Sequence, residues 1–148
     1  MTKLLLSSVL IFTSLTCFDY TSASEQIEEM YLAAEEGDAK AQSDLGVAYY
    51  YGEGVAENTV EAVKWWRKAA KQGYAKAQYN LGEIYYYTKD YTESLKWYRK
   101  AAEQGYANAQ YSLGVMHDFG EGATEDDAKA VKWYCKAAEQ GGAEAQHN

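Results

Sequence analysis

Residues 75–106 read AKAQYNLGEIYYYTKDYTESLKWYRKAAEQGY. The stretch changes character at Asp90. Before it, Ala77, Leu81 and Tyr85 recur four apart, with Gln78 and Gly82 on the same face, the spacing of one stripe on a helix. After it, Ser94, Trp97, Tyr98, Ala101 and Ala102 step by three and four and end on Gly105, a residue suited to a left-handed C-terminal cap. Two helices joined by a short turn are predicted.

The same unit stands on both sides. AKAQSDLGVAYYYGEGVAENTVEAVKWWRKAAKQGY precedes it and ANAQYSLGVMHDFGEGATEDDAKAVKWYCKAAEQGG follows it, so that Ala41, Ala77, Ala109 and Ala145 lie 36, 32 and 36 residues apart. Periods of that size belong to stacked helical pairs. Asn58 stands three residues before Glu61 and Asp90 three before Glu93, the spacing of a reciprocal capping box, and Asp126 repeats the cap without the Glu. Gly46, Gly82 and Gly114 each cost about 1 kcal/mol of helix propensity, which predicts close approach of another backbone. Trp65, Trp97 and Trp133 share one repeat position and are expected in the core, as is His117, which stands where the other units carry Tyr49 and Tyr85.

Two units carry a GEG loop, Gly52–Gly54 and Gly120–Gly122, and the middle unit replaces it with a turn four residues shorter. A phosphate cradle follows a strand, precedes a helix and uses a nearby Lys. This loop follows a helix, carries Glu53 and is dispensable in one unit, so it reads as a connector.

The pattern resembles the Sel-one-like repeat family, relatives of tetratricopeptide repeats, whose unit runs roughly A-x-A-Q-x-x-L-G-x-x-Y-x-x-G-x-G-V and then A-x-x-W-Y-x-K-A-A-x-x-G. The resemblance implies an all-α fold, a right-handed α-α superhelix in which antiparallel helix pairs stack as a solenoid. It sets repeats at 38–73, 74–105 and 106–141, a capping helix at 24–37 and the start of an incomplete fourth repeat at 142–148. That last piece is expected to fray from Ala143 to Asn148 and to leave the face around Trp133 to Ala138 open for self-association or a partner.

The N-terminus reads as a secretory signal over residues 1–23: Lys3, a short apolar run broken by Ser and Thr, then small residues that offer cleavage after Ala23 or Ser24. Export to a bacterial periplasm or medium is expected, with no stable membrane insertion after cleavage. The alternative is an uncleaved anchor. Cleavage would leave Cys135 as the single thiol, standing where the other units carry Arg67 and Arg99 and so expected at the surface.

Among 148 residues, 22 acidic and 14 basic side chains leave a net charge of −8, which argues against a nucleic-acid partner. No H-E-x-x-H, G-x-S-x-G, S-x-x-K, P-loop or paired Cys or His ligands occur, and the cluster Glu121, Glu125, Asp126, Asp127 lacks the alternating spacing of a calcium loop. No catalytic residue, metal or cofactor is expected. A protein or peptide partner is, in keeping with the adaptor and scaffold roles the resemblance implies. The rival is the β-lactamase or penicillin-binding branch of the family, which pairs cysteines in every repeat, as this chain does not.

On a helical wheel, the arc of the first helices facing away from Ala41, Leu45 and Tyr49 holds Lys40, Ser43, Val47, Tyr50 and Tyr51. Its counterparts are Lys76, Tyr79, Glu83, Tyr86 and Tyr87, and then Asn108, Tyr111, Val115, Asp118 and Phe119. Equivalent positions line the concave face in the tetratricopeptide fold, which makes these the expected partner-binding residues. For Tyr51, Tyr87 and Phe119 the alternative is packing on a neighbouring unit, which Tyr50, Tyr79, Tyr86 and Tyr111 fit less well.

Overall fold

The computed structural model describes residues 14–145, with side-chain environments over 25–141. Seven helices and no strand occur among the described residues: α1 Ser14–Glu35, α2 Ala39–Tyr51, α3 Thr59–Lys71, α4 Ala75–Tyr87, α5 Tyr91–Glu103, α6 Ala107–Asp118 and α7 Asp127–Ala145. Each packs on the next along the chain, and the result is a solenoid of helix pairs α2/α3, α4/α5 and α6/α7 with α1 laid against α2. The expected capping helix at 24–37 is the C-terminal part of α1, which begins earlier, at Ser14. Most of the expected leader, and the last three residues of the tail, lie outside the described residues.

The core repeats with the sequence. Leu45, Leu81 and Leu113 are fully buried, and so are Ala62, Ala69, Ala77, Ala101 and Ala109. Burying a leucine of this kind stabilises by about 1.5–3 kcal/mol, so three in register supply much of the cohesion along the stack. Trp65 is buried as expected, but Trp97 and Trp133 are only half-buried. The deeper aromatics are Trp66 and Tyr98, at 3% and 1% exposure. The outer tryptophans instead take a lysine over the ring from one helical turn on. Lys68 lies 3.8 Å from the Trp65 centroid, Lys100 4.7 Å from Trp97 and Lys136 4.4 Å from Trp133.

Gly46, Gly82 and Gly114 do permit a close approach, but of a ring and not of a backbone. A Cβ on each would collide with Trp66, Tyr98 and Tyr134 respectively. The helical propensity lost at glycine is offset by seating a large aromatic flat within the pair.

Second helices end in the expected left-handed glycine. At α3, Gly73 has φ 91°, its N–H donates to the Ala70 carbonyl, and the Tyr74 N–H donates to Ala69; Gly105 and Tyr106 repeat the arrangement after α5. The third unit departs from it. α7 continues through Gly141 to Ala145, so the expected break into a fourth unit at 142 is not taken.

The connectors share one closing bond. The backbone N–H of Asn58 donates to the carbonyl of Tyr49, that of Asp90 to Tyr85 and that of Asp126 to His117, at 2.7, 2.9 and 2.9 Å. Side-chain oxygens of the same three residues then accept backbone N–H groups of Glu61, Glu93 and Lys129. The reciprocal half of the expected capping box is absent, because the cap N–H is already spent on this bond. Glu61 and Glu93 reach forward to Lys64 and Lys96 instead.

A ladder of glutamines ties unit to unit. Gln42, Gln78 and Gln110 are buried, and their Nε2 groups donate to the carbonyls of Ala34, Ala70 and Ala102 in the preceding helix. Their Oε1 atoms accept from Gln72, Gln104 and Gln140 at 2.8, 2.7 and 2.8 Å. No polar atom of these amides is left to carry an isolated burial penalty on its acceptor side.

Candidate functional site

The exposed ends of α2 and α4 frame a groove of about 360 Å³. Val47, Tyr50 and Tyr51 line it from α2, and Lys76, Tyr79, Glu83 and Tyr87 from α4. Seven of the residues assigned to partner binding from the sequence are thus brought together. Trp66, Asn80 and Ile84 complete the lining. Trp66 reaches it because its indole crosses the Gly46 gap, donating at 3.1 Å to the Ser43 carbonyl.

The division between packed and open aromatics is the reverse of the alternative in which Tyr51, Tyr87 and Phe119 pack on a neighbouring unit. Tyr51, Tyr87 and Phe119 are 66%, 71% and 70% exposed. Tyr50 is half-buried against Trp66, Tyr79 against Tyr98 and Tyr106, and Tyr86 against Tyr91. Only Tyr111, at 59% exposure, stands open as expected. Tyr51 and Tyr87 end α2 and α4 and Phe119 follows α6, each projecting past its own pair, whereas Tyr50 and Tyr86 lean back onto the second helix and meet Tyr51 and Tyr87 only edge-on.

Ser43 is a correction. It occupies the register of Tyr79 and Tyr111, yet it is fully buried, because a short side chain there sits beneath Trp66 instead of reaching past it. It offers nothing to a partner. Lys40 and Asp118 are exposed and Val115 is half-buried, and none of the three lines the α2/α4 groove.

Charge in the groove is arranged unevenly. Lys40 lies 2.6 Å and Lys76 3.5 Å from the Asp44 carboxylate, so two cations converge on one anion at the α2 end. Toward α5 the charge is negative: the Tyr98 hydroxyl donates to Glu83 Oε1, and burial followed by this carboxylate holds the Tyr98 phenol far above the ordinary tyrosine range. Burial first, then Glu83, raises Tyr79 as well. The hydrogen bond to Glu121, aided by burial, pushes Tyr86 up to about 12. Tyr79, Tyr86 and Tyr98 therefore stay neutral hydroxyls at any working pH.

The GEG loops hold no ligand geometry. Gly122, at φ 74°, packs against the backbone of Tyr91 so closely that a Cβ would strike its carbonyl, and Glu53 and Gly54 border a hollow against Gln26, Ile27 and Met30 of α1. Each loop leans on the preceding unit. No group of three or more metal-ligating side chains gathers among the described residues, and Asp126 of the acidic cluster is occupied as a cap. Cys135 is an exposed free thiol, as its arginine register implies. His117 is buried at the expected tyrosine position, and its Nδ1 meets no partner in the structure.

The glutamine ladder was not foreseen from the sequence. The recurrence of Gln in A-x-A-Q and again two residues after A-A was its only signal, and neither position has an apolar spacing to mark it.

Comparison with known proteins follows the repeats. The Sel1 repeat profile matches residues 39–74 and 107–142, and the Tetratricopeptide repeat profile matches residues 75–108, the unit with the shortened loop. The crystal structure of c5321, a protective antigen of uropathogenic Escherichia coli strains displaying an SLR fold, is 42% identical at a TM-score of 0.75. That match covers 78% of this chain and 26% of the antigen, so the chain spans about a quarter of that protein's length. A Sel1 repeat protein from Oxalobacter formigenes is 39% identical at a TM-score of 0.72, over 78% of this chain and 90% of that one. MamA, at 19% identity and a TM-score of 0.54 over 88% and 94% of the two chains, shares the fold alone. No curated protein matches the chain. With its units, its loop variant and its stacked pairs all accounted for, the chain belongs to the Sel1 repeat family, whose repeats are protein–protein interaction modules.

Proposed function

We propose that this chain is an exported, non-catalytic adaptor that binds a peptide segment of a partner protein along the α2/α4 groove. The observation that carries the reading is the convergence of Tyr50, Tyr51, Tyr79 and Tyr87 with Glu83 in one groove of about 360 Å³. Tyrosine supplies rigid apolar area and a hydroxyl at small entropic cost, which suits anchoring. Lys40 and Lys76 share the single carboxylate of Asp44, which leaves one positive charge beside the groove against the negative charge of Glu83, and the fitting segment is aromatic with side chains of both signs.

The experiment is selection of displayed random dodecapeptides on the purified chain, followed by affinity measurement on Tyr51→Ala/Tyr87→Ala. Both rings are mostly exposed, so the fold survives their loss. Selected peptides should bind the double variant about tenfold or more weakly. Equal affinity for the two proteins overturns the groove assignment, and nitrocefin turnover by pure protein overturns the non-catalytic reading. Export is supported by the leader-like residues 1–23 and is checked by fractionating cells that express the full chain.

A further inference from the structure

The outer face of α3 differs from its counterparts in α5 and α7 at two positions that the fold does not require. Residues four apart run along a helix as ridges with a groove between them. On α3 one ridge is Val60, Lys64 and Lys68 and the next is Val63, Arg67 and Lys71, and together they line an open trough of about 490 Å³. Val60 is 77% exposed, and Thr92 and Ala128 stand in its place in α5 and α7. Lys71 is exposed as well, and there the other two helices carry Glu103 and Glu139. The other units stack without the valine and without the lysine, so neither is needed to hold the pairs together.

In a chain of net charge −8, α3 alone presents four cations and no carboxylate along these ridges. Two of the four are compensated from beside them, since Lys64 meets Glu61 and Lys68 meets Glu35, each at 3.2 Å. Arg67 and Lys71 meet no carboxylate among the described residues. The Arg67 guanidinium is also held in place, donating to the Tyr85 hydroxyl at 2.6 Å, so little freedom is left for it to lose on binding. From this charge and shape we infer that the α3 trough docks an acidic amphipathic helix of a partner protein. Its apolar side chains cover Val60 and Val63, and its carboxylates, about 12 Å further along the same face, reach Arg67 and Lys71. An anionic bilayer is the poorer occupant, because the rest of this acidic chain is repelled by it. None of these residues lines the α2/α4 groove, and the site does not depend on that reading.

The test uses a display library of peptides of about 18 residues, long enough to hold a helix and randomised along one face. It is selected on the full chain and counter-selected on Val60→Thr/Lys71→Glu. Those two changes write the residues of α5 into α3, and the fold accommodates both, as Thr92 and Glu103 show. Recovered peptides should join acidic and apolar side chains on one face and bind the wild-type chain about tenfold or more tightly than the double variant. Their binding should weaken as salt is raised, since Arg67 and Lys71 are exposed, and should be unaltered by Tyr51→Ala/Tyr87→Ala. Recovery of no peptide that distinguishes the two chains overturns the proposal, as do distinguishing peptides that lack acidic side chains. Vesicles of phosphatidylglycerol and phosphatidylcholine that pellet the wild-type chain and not the double variant assign the face to lipid and overturn it. A dimer that the double variant dissolves overturns it as well, since the face then belongs to a second copy.

Discussion

The phenol ring of Tyr98 occupies the space in which a side chain on Gly82 would begin. The two residues lie 16 apart in the chain and face each other across the α4/α5 pair. Gly82→Ala therefore sets about 1 kcal/mol of gained helix propensity against an overpacking strain of about 1–3 kcal/mol. Tyr98 is 1% exposed and has nowhere to withdraw, so strain wins. A thermal midpoint lower by several degrees is expected in calorimetry, and an increase would show that the ring yields.

The loop of the first unit is replaceable by that of the second. Tyr49 to Asn58 and Tyr85 to Asp90 close the same backbone hydrogen bond across different lengths. Substituting Thr-Lys for Gly52–Glu57 should leave helicity unchanged and stability within about 1 kcal/mol, since loop length enters closure entropy only logarithmically. Loss of cooperative melting in that variant would mean the GEG loop does more than connect.

Gln78 bonds the preceding unit through its Nε2 and the second helix of its own unit through its Oε1. Gln78→Leu keeps the volume but strips the Ala70 carbonyl of its side-chain donor and the Gln104 amide of its acceptor. A loss of about 1–3 kcal/mol in denaturant unfolding is expected, the cost of buried polar groups left unpaired. The exposed control Gln72→Leu should cost less.

His117 makes stability pH-dependent. Burial, with Lys129 and Arg99 and against Asp126, holds its pKa below the usual value. The unfolded imidazole then binds a proton more readily than the folded one, so this contribution is present above about pH 6.5 and fades as pH falls through and below it. The thermal midpoint should fall between pH 7.5 and 5.5, and His117→Tyr, the residue of the equivalent Tyr49 and Tyr85, should flatten that part of the curve. Identical slopes for the two proteins would assign the effect to other groups.

Helix pairs, their order and their caps were legible because each rests on a period or a fixed offset: the four-step of Ala77, Leu81 and Tyr85, the glycine at 73 and 105, the Asn or Asp before the second helix. What was misread turns on direction within a face. Adjacent residues such as Trp65 and Trp66, or Tyr50 and Tyr51, are 100° apart on a wheel, and spacing alone does not say which leans into the pair. The partner ring crossing each Gly46-type gap decides it, and that ring comes from the other helix. Ser43 was misplaced for the same reason, its register shared with tyrosines long enough to escape the cover that hides a serine. Gly141 has the sequence of a terminator, yet α7 runs past it to Ala145.

Because every rung of the glutamine ladder is shared between neighbouring units, the energy of the molecule is held between repeats as much as within them. A solenoid wired in this way behaves as a one-dimensional chain of coupled sites. Melting of any unit removes the hydrogen-bond partner of the next, so disorder should spread as a front from pair to pair along α2/α3, α4/α5 and α6/α7 and not break out in each pair independently.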